Sequence, residues 1–183
     1  FHIASMTKPV TSVAAMILIE EGKLELDAPV AKYLPEFREA KVLEPDGAGW
    51  KEIPARRTMT IRHLLTHTAG LSYGWFGEDP VDQLMGERGV AKDNATIADF
   101  VAKLAKLPLK HHPGEVWEYS YATDVLGRVV EAASGKSLDI FLRERIFIPL
   151  GMKDTSFGVP AERRSRVAAV YKVGADGKAE RTD

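Results

Sequence analysis

The 183-residue chain contains no cysteine. That absence excludes a disulfide scaffold, thiolate-ligated zinc, iron–sulfur chemistry and a cysteine nucleophile. It leaves the compartment open, because secreted proteins also lack cysteine. A surplus of positive or negative charge is missing too. Lys and Arg total 25 against 26 Asp and Glu, a formal net charge of −1. No global basic field exists to gather nucleic acid, and no polybasic block exists to hold an anionic membrane. The longest unbroken apolar run, 13–19, is far shorter than the roughly 20 residues a membrane-spanning helix needs. Neither G-x-x-x-x-G-K-[ST] nor G-x-G-x-x-G occurs, so no glycine loop is present to cradle a phosphate. The sequence has no internal repeat, low-complexity stretch or domain linker.

With 45% apolar and 28% charged residues, the composition is that of a globular domain with one core of ordinary size. Helical periodicity dominates. Val10, Val13, Ala14, Ile17 and Leu18 fall on one helix face, and Gly22 ends that helix. Asp27-Ala28-Pro29 reads as the start of a short helix within a connector. Pro45, Gly47, Gly49 and Pro54 make 44–57 a surface loop. Thr60 caps a short helix over 61–67 that Gly70 closes. Residues 72–94 lose all period and read as loops around one short helix at 81–87. Thr96 caps a helix carrying Ile97, Phe100, Val101 and Leu104, stopped at Pro108. A further helix holds Val125, Leu126, Val129, Val130 and Ala133 and closes at Gly135; another follows Ser137. Weak alternation over 167–173 before Asp176-Gly177 predicts the one convincing strand pair.

Four groups could carry chemistry. Ser5-Met6-Thr7-Lys8 has the S-x-x-K spacing, which puts the ammonium one helical turn beyond the hydroxyl on the same face. A helix N-terminus there favours a developing oxyanion. The plain structural reading is a capping serine beside a solvated lysine. Tyr119, ahead of a helix, can relay a proton if nearby cations lower its pKa, or can simply pack. Gly70-Leu71-Ser72-Tyr73-Gly74 matches the G-x-S-x-G nucleophile elbow. That elbow needs a strand before it and a helix after it; a helical pattern precedes it here, and Trp75, Phe76, Gly77 and Glu78 continue with no helical period. A glycine-rich loop is the better reading. His63 and His67 have i, i+4 spacing, but Leu64, Leu65 and Thr66 lie between them and no H-E-x-x-H results, so capping or core histidines are expected.

The order of these segments resembles the serine β-lactamase-like superfamily, and within it the class C β-lactamase-related hydrolases that include the family VIII carboxylesterases. The similar segments are FHIASMTK at 1–8, TIRHLLTHTAGL at 60–71, HPG at 112–114 with Tyr119-Ser120, SGKS at 134–137 and PLGMKDT at 149–155. The resemblance implies an α+β β-lactamase/penicillin-binding-protein-like fold, here mainly its helical domain with most of the antiparallel sheet absent. On this expectation residues 1–183 form a partial domain, with sheet strands before Phe1 and after Asp183. It implies that Ser5 is the acylated nucleophile, that Lys8 helps deprotonate it, and that Tyr119 is the general base or proton shuttle. It implies one oxyanion donor at the Ser5 backbone N–H and no metal or organic cofactor. The asparagine of the family's Y-x-N motif is replaced by Tyr121, a substrate-binding position in that family. A phenol does not both donate and accept as an amide does, which favours simple esters over β-lactams. The third motif, of K-T-G, H-x-G or W-x-G type, belongs to a strand lining the site; Lys-Thr-Gly does not occur and that strand is expected after Asp183, so these residues alone are expected to turn over little substrate. The expected function is ester hydrolysis of a small molecule through an acyl-enzyme. A β-lactamase or D-alanyl-D-alanine peptidase of the same fold is the close alternative. A non-catalytic binding relative is the distant one, and the joint presence of Ser5, Lys8 and Tyr119 argues against it.

Overall fold

A computed structural model describes residues 1–74 and 79–182. The expectation that no helix follows Gly74 concerns residues 75–78 and lies outside the described residues. The architecture is α+β and mostly helical, with two small antiparallel hairpins. No helix among the described residues is long and apolar enough to cross a membrane.

The core forms around α5 (Ala122–Ser134), whose Val125, Leu126, Val129 and Val130 are fully buried. Each such side chain contributes roughly 1.5–3 kcal/mol by leaving water. Four helices pack against it: α1 (Thr7–Glu20), α2 (Ile61–Leu65), α4 (Ile97–Leu104) and α6 (Leu138–Leu142), the last continuing as a π turn through Arg143–Phe147. Gly127 makes the packing possible, since a Cβ there would lie 2.9 Å from Leu138 and 3.3 Å from Ile97. The buried stripe of α1 is Thr11, Ala14, Ala15 and Leu18, and Val13 is 49% exposed. The stripe is therefore rotated from the one the Val and Ile spacing marks. Small alanines, rather than the bulkier Val10 and Val13, take the face where α1 meets α5.

The expected caps form where side chain and backbone can exchange bonds. Thr60 and His63 make a reciprocal box at the start of α2, and Thr96 and Asp99 make another at α4. Ser137 precedes α6, but the Leu138 N–H is held by the Glu131 carboxylate at 2.9 Å instead. Asp79 caps α3 (Pro80–Glu87), which lies where the sequence predicts a short helix. Gly135 ends α5 in the left-handed region, φ +69°.

The reading of 44–57 as an irregular loop is corrected. Strands β1 (Lys41–Asp46) and β2 (Gly49–Pro54) pair from Lys41–Pro54 to Asp46–Gly49 around a two-residue turn. Gly47 takes the φ of +63° that so short a hairpin needs. Most of β2 is exposed on both faces, so no alternation marks it. Pro45 sits on β1 opposite Trp50 in a two-stranded ribbon. The second hairpin, β3 (Tyr171–Val173) with β4 (Ala179–Arg181), is the expected one.

Two paired loops complete the frame. The segment after α2 lies beside the segment leading into α5. The N–H groups of Lys110, Gly114, Glu118 and Tyr121 donate to the carbonyls of Gly70, Thr68, His67 and Ser72 at 2.7–3.2 Å. Gly70, at φ +80°, is required for this approach, because a Cβ would stand 2.0 Å from the His111 carbonyl oxygen. The largely buried side chain of Lys110 reinforces it by bonding Glu118 at 2.5 Å, with Asp82 at 3.6 Å. Burial alone pulls the Lys110 pKa down, but Glu118, Asp79 and Asp82 together outweigh it and hold the pKa above the usual lysine value.

Candidate active site

Ser5 lies in a single 3-10 turn, Ala4–Met6, directly ahead of α1. The residue before it, Ala4, has φ +42°, a left-handed backbone that costs a non-glycine residue roughly 1 kcal/mol or more. The turn and the first residues of α1 carry Ser5 and Lys8 toward the same neighbour. Ser5 Oγ is 2.7 Å from the Tyr119 hydroxyl, and Lys8 Nζ is 4.7 Å from the centre of the Tyr119 ring. The paired loops and α1 thus join two neighbours in the chain to a tyrosine more than a hundred positions away.

The electrostatics follow from that proximity. Hydrogen bonding by the Lys8 ammonium, and then by the Ser5 hydroxyl, favours the Tyr119 phenolate and holds its pKa below the usual tyrosine value. Tyr121 moves the other way, raised by burial and by Tyr73 and Asp124. Its ring stacks on Tyr73 (centroids 4.4 Å, 19°) and meets Phe100 edge-on at 4.8 Å. Asp124, in the first turn of α5, has its pKa raised by burial, while the Lys8 charge pulls it back.

Two residues of this cluster are not marked as site residues by the sequence, where His67 reads as a capping or core histidine. Tyr73 is tilted against Tyr119 at 5.3 Å, and Lys8 lies 5.5 Å from its ring centre, so the ammonium faces two aromatic rings. His67 stacks on Tyr119 (5.1 Å, 23°), and burial followed by the Lys8 charge lowers its pKa. Tyr73 stands inside the G-x-S-x-G match, which draws attention to its neighbour Ser72 instead. Ser72 is 3% exposed. It donates to the Asp82 carboxylate and accepts the Gly74 N–H at 3.1 Å, so its hydroxyl is committed to the loop. His63 serves the α2 cap, accepting the Thr60 N–H at Nδ1, and so does not share a site with His67. His112 is buried between the Arg56 N–H and Glu44, and His111 bonds Glu118.

A hydroxyl, a phenol of lowered pKa and an ammonium in sequence form a proton-transfer chain suited to activating an oxygen nucleophile. The chain is also similar to several known proteins. A family model described as Beta-lactamase matches residues 1–183. Esterase EstB of Burkholderia gladioli is 40% identical over 177 residues, covering 95% of this chain and 42% of EstB. The solved structure of EstCE1, described as a hydrolase with promiscuous acyltransferase activity, superposes with a TM-score of 0.78 at 32% identity, over 96% of this chain and 43% of that one. Unliganded simvastatin synthase (LovD) from Aspergillus terreus gives a TM-score of 0.82 at 31% identity, over 98% and 46%. The chain thus spans less than half the length of each of these proteins.

Proposed function

Because the chain belongs to the Beta-lactamase family, with the fold that membership entails, we propose that it carries the nucleophilic half of a serine esterase site. Ser5 is the nucleophile, and Tyr119 with Lys8 moves its proton. The observation that carries this reading is the 2.7 Å bond from Ser5 to a tyrosine whose pKa is lowered beside Lys8. Tyr119, as phenolate, takes the Ser5 proton while Oγ attacks the ester carbonyl carbon. The tetrahedral oxyanion is stabilised by the Ser5 backbone N–H at the positive end of the first helical turns. Tyr119 then hands the proton to the departing alcohol as the C–O bond breaks, leaving acyl-Ser5. Water attacks next, gives its proton to Tyr119, and Ser5 leaves with that proton restored. Lys8 keeps the phenolate accessible throughout by its charge.

A small-molecule carboxylic ester is the proposed substrate, supported by the similarity to EstB and by Tyr121 in place of the asparagine amide. An alcohol in place of water as acyl acceptor is a second reading, supported by the similarity to EstCE1.

The test is the pH dependence of ester turnover by the full-length protein. Acid protonates the Tyr119 phenolate, so kcat falls as the pH drops through its pKa. That midpoint lies below the usual tyrosine value of about 10. Lys8→Met removes the stabilising charge, and the midpoint is expected to move up toward about 10 with a lower rate at neutral pH. A midpoint that stays in place in Lys8→Met contradicts the reading.

A further inference from the structure

We propose that His67 is the positioning residue of Tyr119, gripping the chain on both sides of it through one backbone acceptor and one ring acceptor. The inference rests on the assignment of Tyr119 as the proton-transfer group. His67 lies just past the end of α2 with φ +53°, a left-handed backbone that costs a residue with a Cβ roughly 1 kcal/mol or more. That conformation aims two acceptors at one short segment. The His67 carbonyl receives the Glu118 N–H at 2.9 Å. The ring Nδ1 receives the Ser120 N–H at 3.3 Å. Between these two bonds stands Tyr119, its ring stacked on the imidazole. The residues before and after the tyrosine are therefore fixed by the same residue whose ring supports its face.

A ring nitrogen that accepts must be bare, so the neutral ring carries its proton on Nε2. Protonating Nδ1 would set a donor against the Ser120 N–H and break the grip, leaving the Ser120 hydroxyl, 3.5 Å away, as the group that could accept from it. The surroundings oppose that protonation. Burial disfavours the cation, and Lys8 adds a like charge from α1. Charged groups on the adjoining segments are engaged elsewhere. Glu118 is held by Lys110 and His111, Arg62 on α2 by Asp27, and His63 by the Thr60 cap. Of the two acids on α5, Asp124 interacts with Lys8, and Glu131 is engaged by Arg128 and the Leu138 N–H.

Two variants of the full-length protein separate positioning from packing. His67→Phe keeps an aromatic face and loses the ring acceptor. His67→Asn loses the ring, keeps an acceptor oxygen near the Nδ1 position, and is well suited to a left-handed backbone. The readouts are kcat and KM for a p-nitrophenyl ester, the ionisation midpoint of Tyr119 by NMR of ring-labelled tyrosine, and the melting temperature. A displaced catalytic group costs on the order of 100-fold, so His67→Phe is expected to lose about 10- to 100-fold in kcat with KM within about twofold. Its Tyr119 midpoint is expected to rise toward the ordinary value of about 10 as contact with Lys8 and Ser5 loosens. His67→Asn is expected to keep kcat within about fivefold and the midpoint in place. Nitrogen NMR of the unaltered protein is expected to show Nδ1 unprotonated at neutral pH.

A folded His67→Phe with unchanged kcat and Tyr119 midpoint overturns the proposal. So does an Asn variant that loses as much as Phe, or a protonated Nδ1. The Nδ1 measurement decides even if His67→Phe fails to fold. Should Tyr119→Phe prove harmless, the proton-transfer assignment itself fails. The NMR midpoint still reports whether His67 positions the tyrosine.

Discussion

Ser5→Ala is expected to lower ester turnover by ~10⁴- to 10⁶-fold, the loss seen when a hydrolase nucleophile is removed. The other hydroxyl that a motif search singles out cannot take over. Ser72 is buried, donates to Asp82 and accepts the Gly74 N–H, so it is neither reachable nor free to attack. The remaining rate is that of binding and backbone polarisation without covalent catalysis. Steady-state kinetics of the purified variant, with thermal melting to show that the fold is kept, check this. Ser5 is exposed in a surface turn, so the melting temperature should barely move. Retention of more than a few per cent of the rate would remove Ser5 from its assigned role.

Tyr119→Phe is the second large effect, a loss of ~10²- to 10⁴-fold in kcat, the usual contribution of a positioned acid–base group. The substitution deletes one oxygen and leaves the ring packed on His67 and Tyr73. Binding is therefore expected to survive, with KM little changed. Because the phenol is gone, the pH profile loses the ionisation assigned to it, and raising the pH does not rescue the rate. If the loss is below tenfold, Lys8 rather than Tyr119 takes the Ser5 proton. Ser5→Ala and Tyr119→Phe should be strongly non-additive, since both break one proton path.

The same geometry explains why parts of this site are visible in the sequence and parts are not. Ser5 and Lys8 are readable because their relation is local: a spacing of three becomes one face of a helix whatever the tertiary structure does. Tyr119 is readable only as part of an ordered set of motifs that resembles a family. Nothing in its neighbours says that it meets Ser5. That meeting depends on backbone bonds between the segments around 67–72 and 110–121, and on Gly70 letting His111 approach. His67 and Tyr73 enter the cluster by the same route. Their roles come from loop pairing, which has no period, and stronger local patterns mask both. The His63–His67 spacing points to a metal or a cap, and the G-x-S-x-G match points to Ser72.

The fold divides along the same line. α5 combines a clear apolar period with a glycine terminator, and it is found where expected. α1 is found too, but its buried stripe is rotated, because close contact with α5 selects Ala14 and Ala15 over larger side chains. The β1–β2 hairpin escapes for the opposite reason. Its strands bury little, so they have no reason to alternate, and their Pro and Gly residues look like punctuation alone.

The proposed reaction is covalent, with the acyl group carried on Ser5. Its most direct test is to mix the full-length protein with a slowly hydrolysed ester or a fluorophosphonate, quench in acid, digest and locate the added mass. One adduct is expected, on the peptide that holds Ser5, absent from Ser5→Ala and formed much more slowly by Tyr119→Phe. An adduct on Ser72 or another residue, or steady ester hydrolysis with Ser5 never modified, would contradict it.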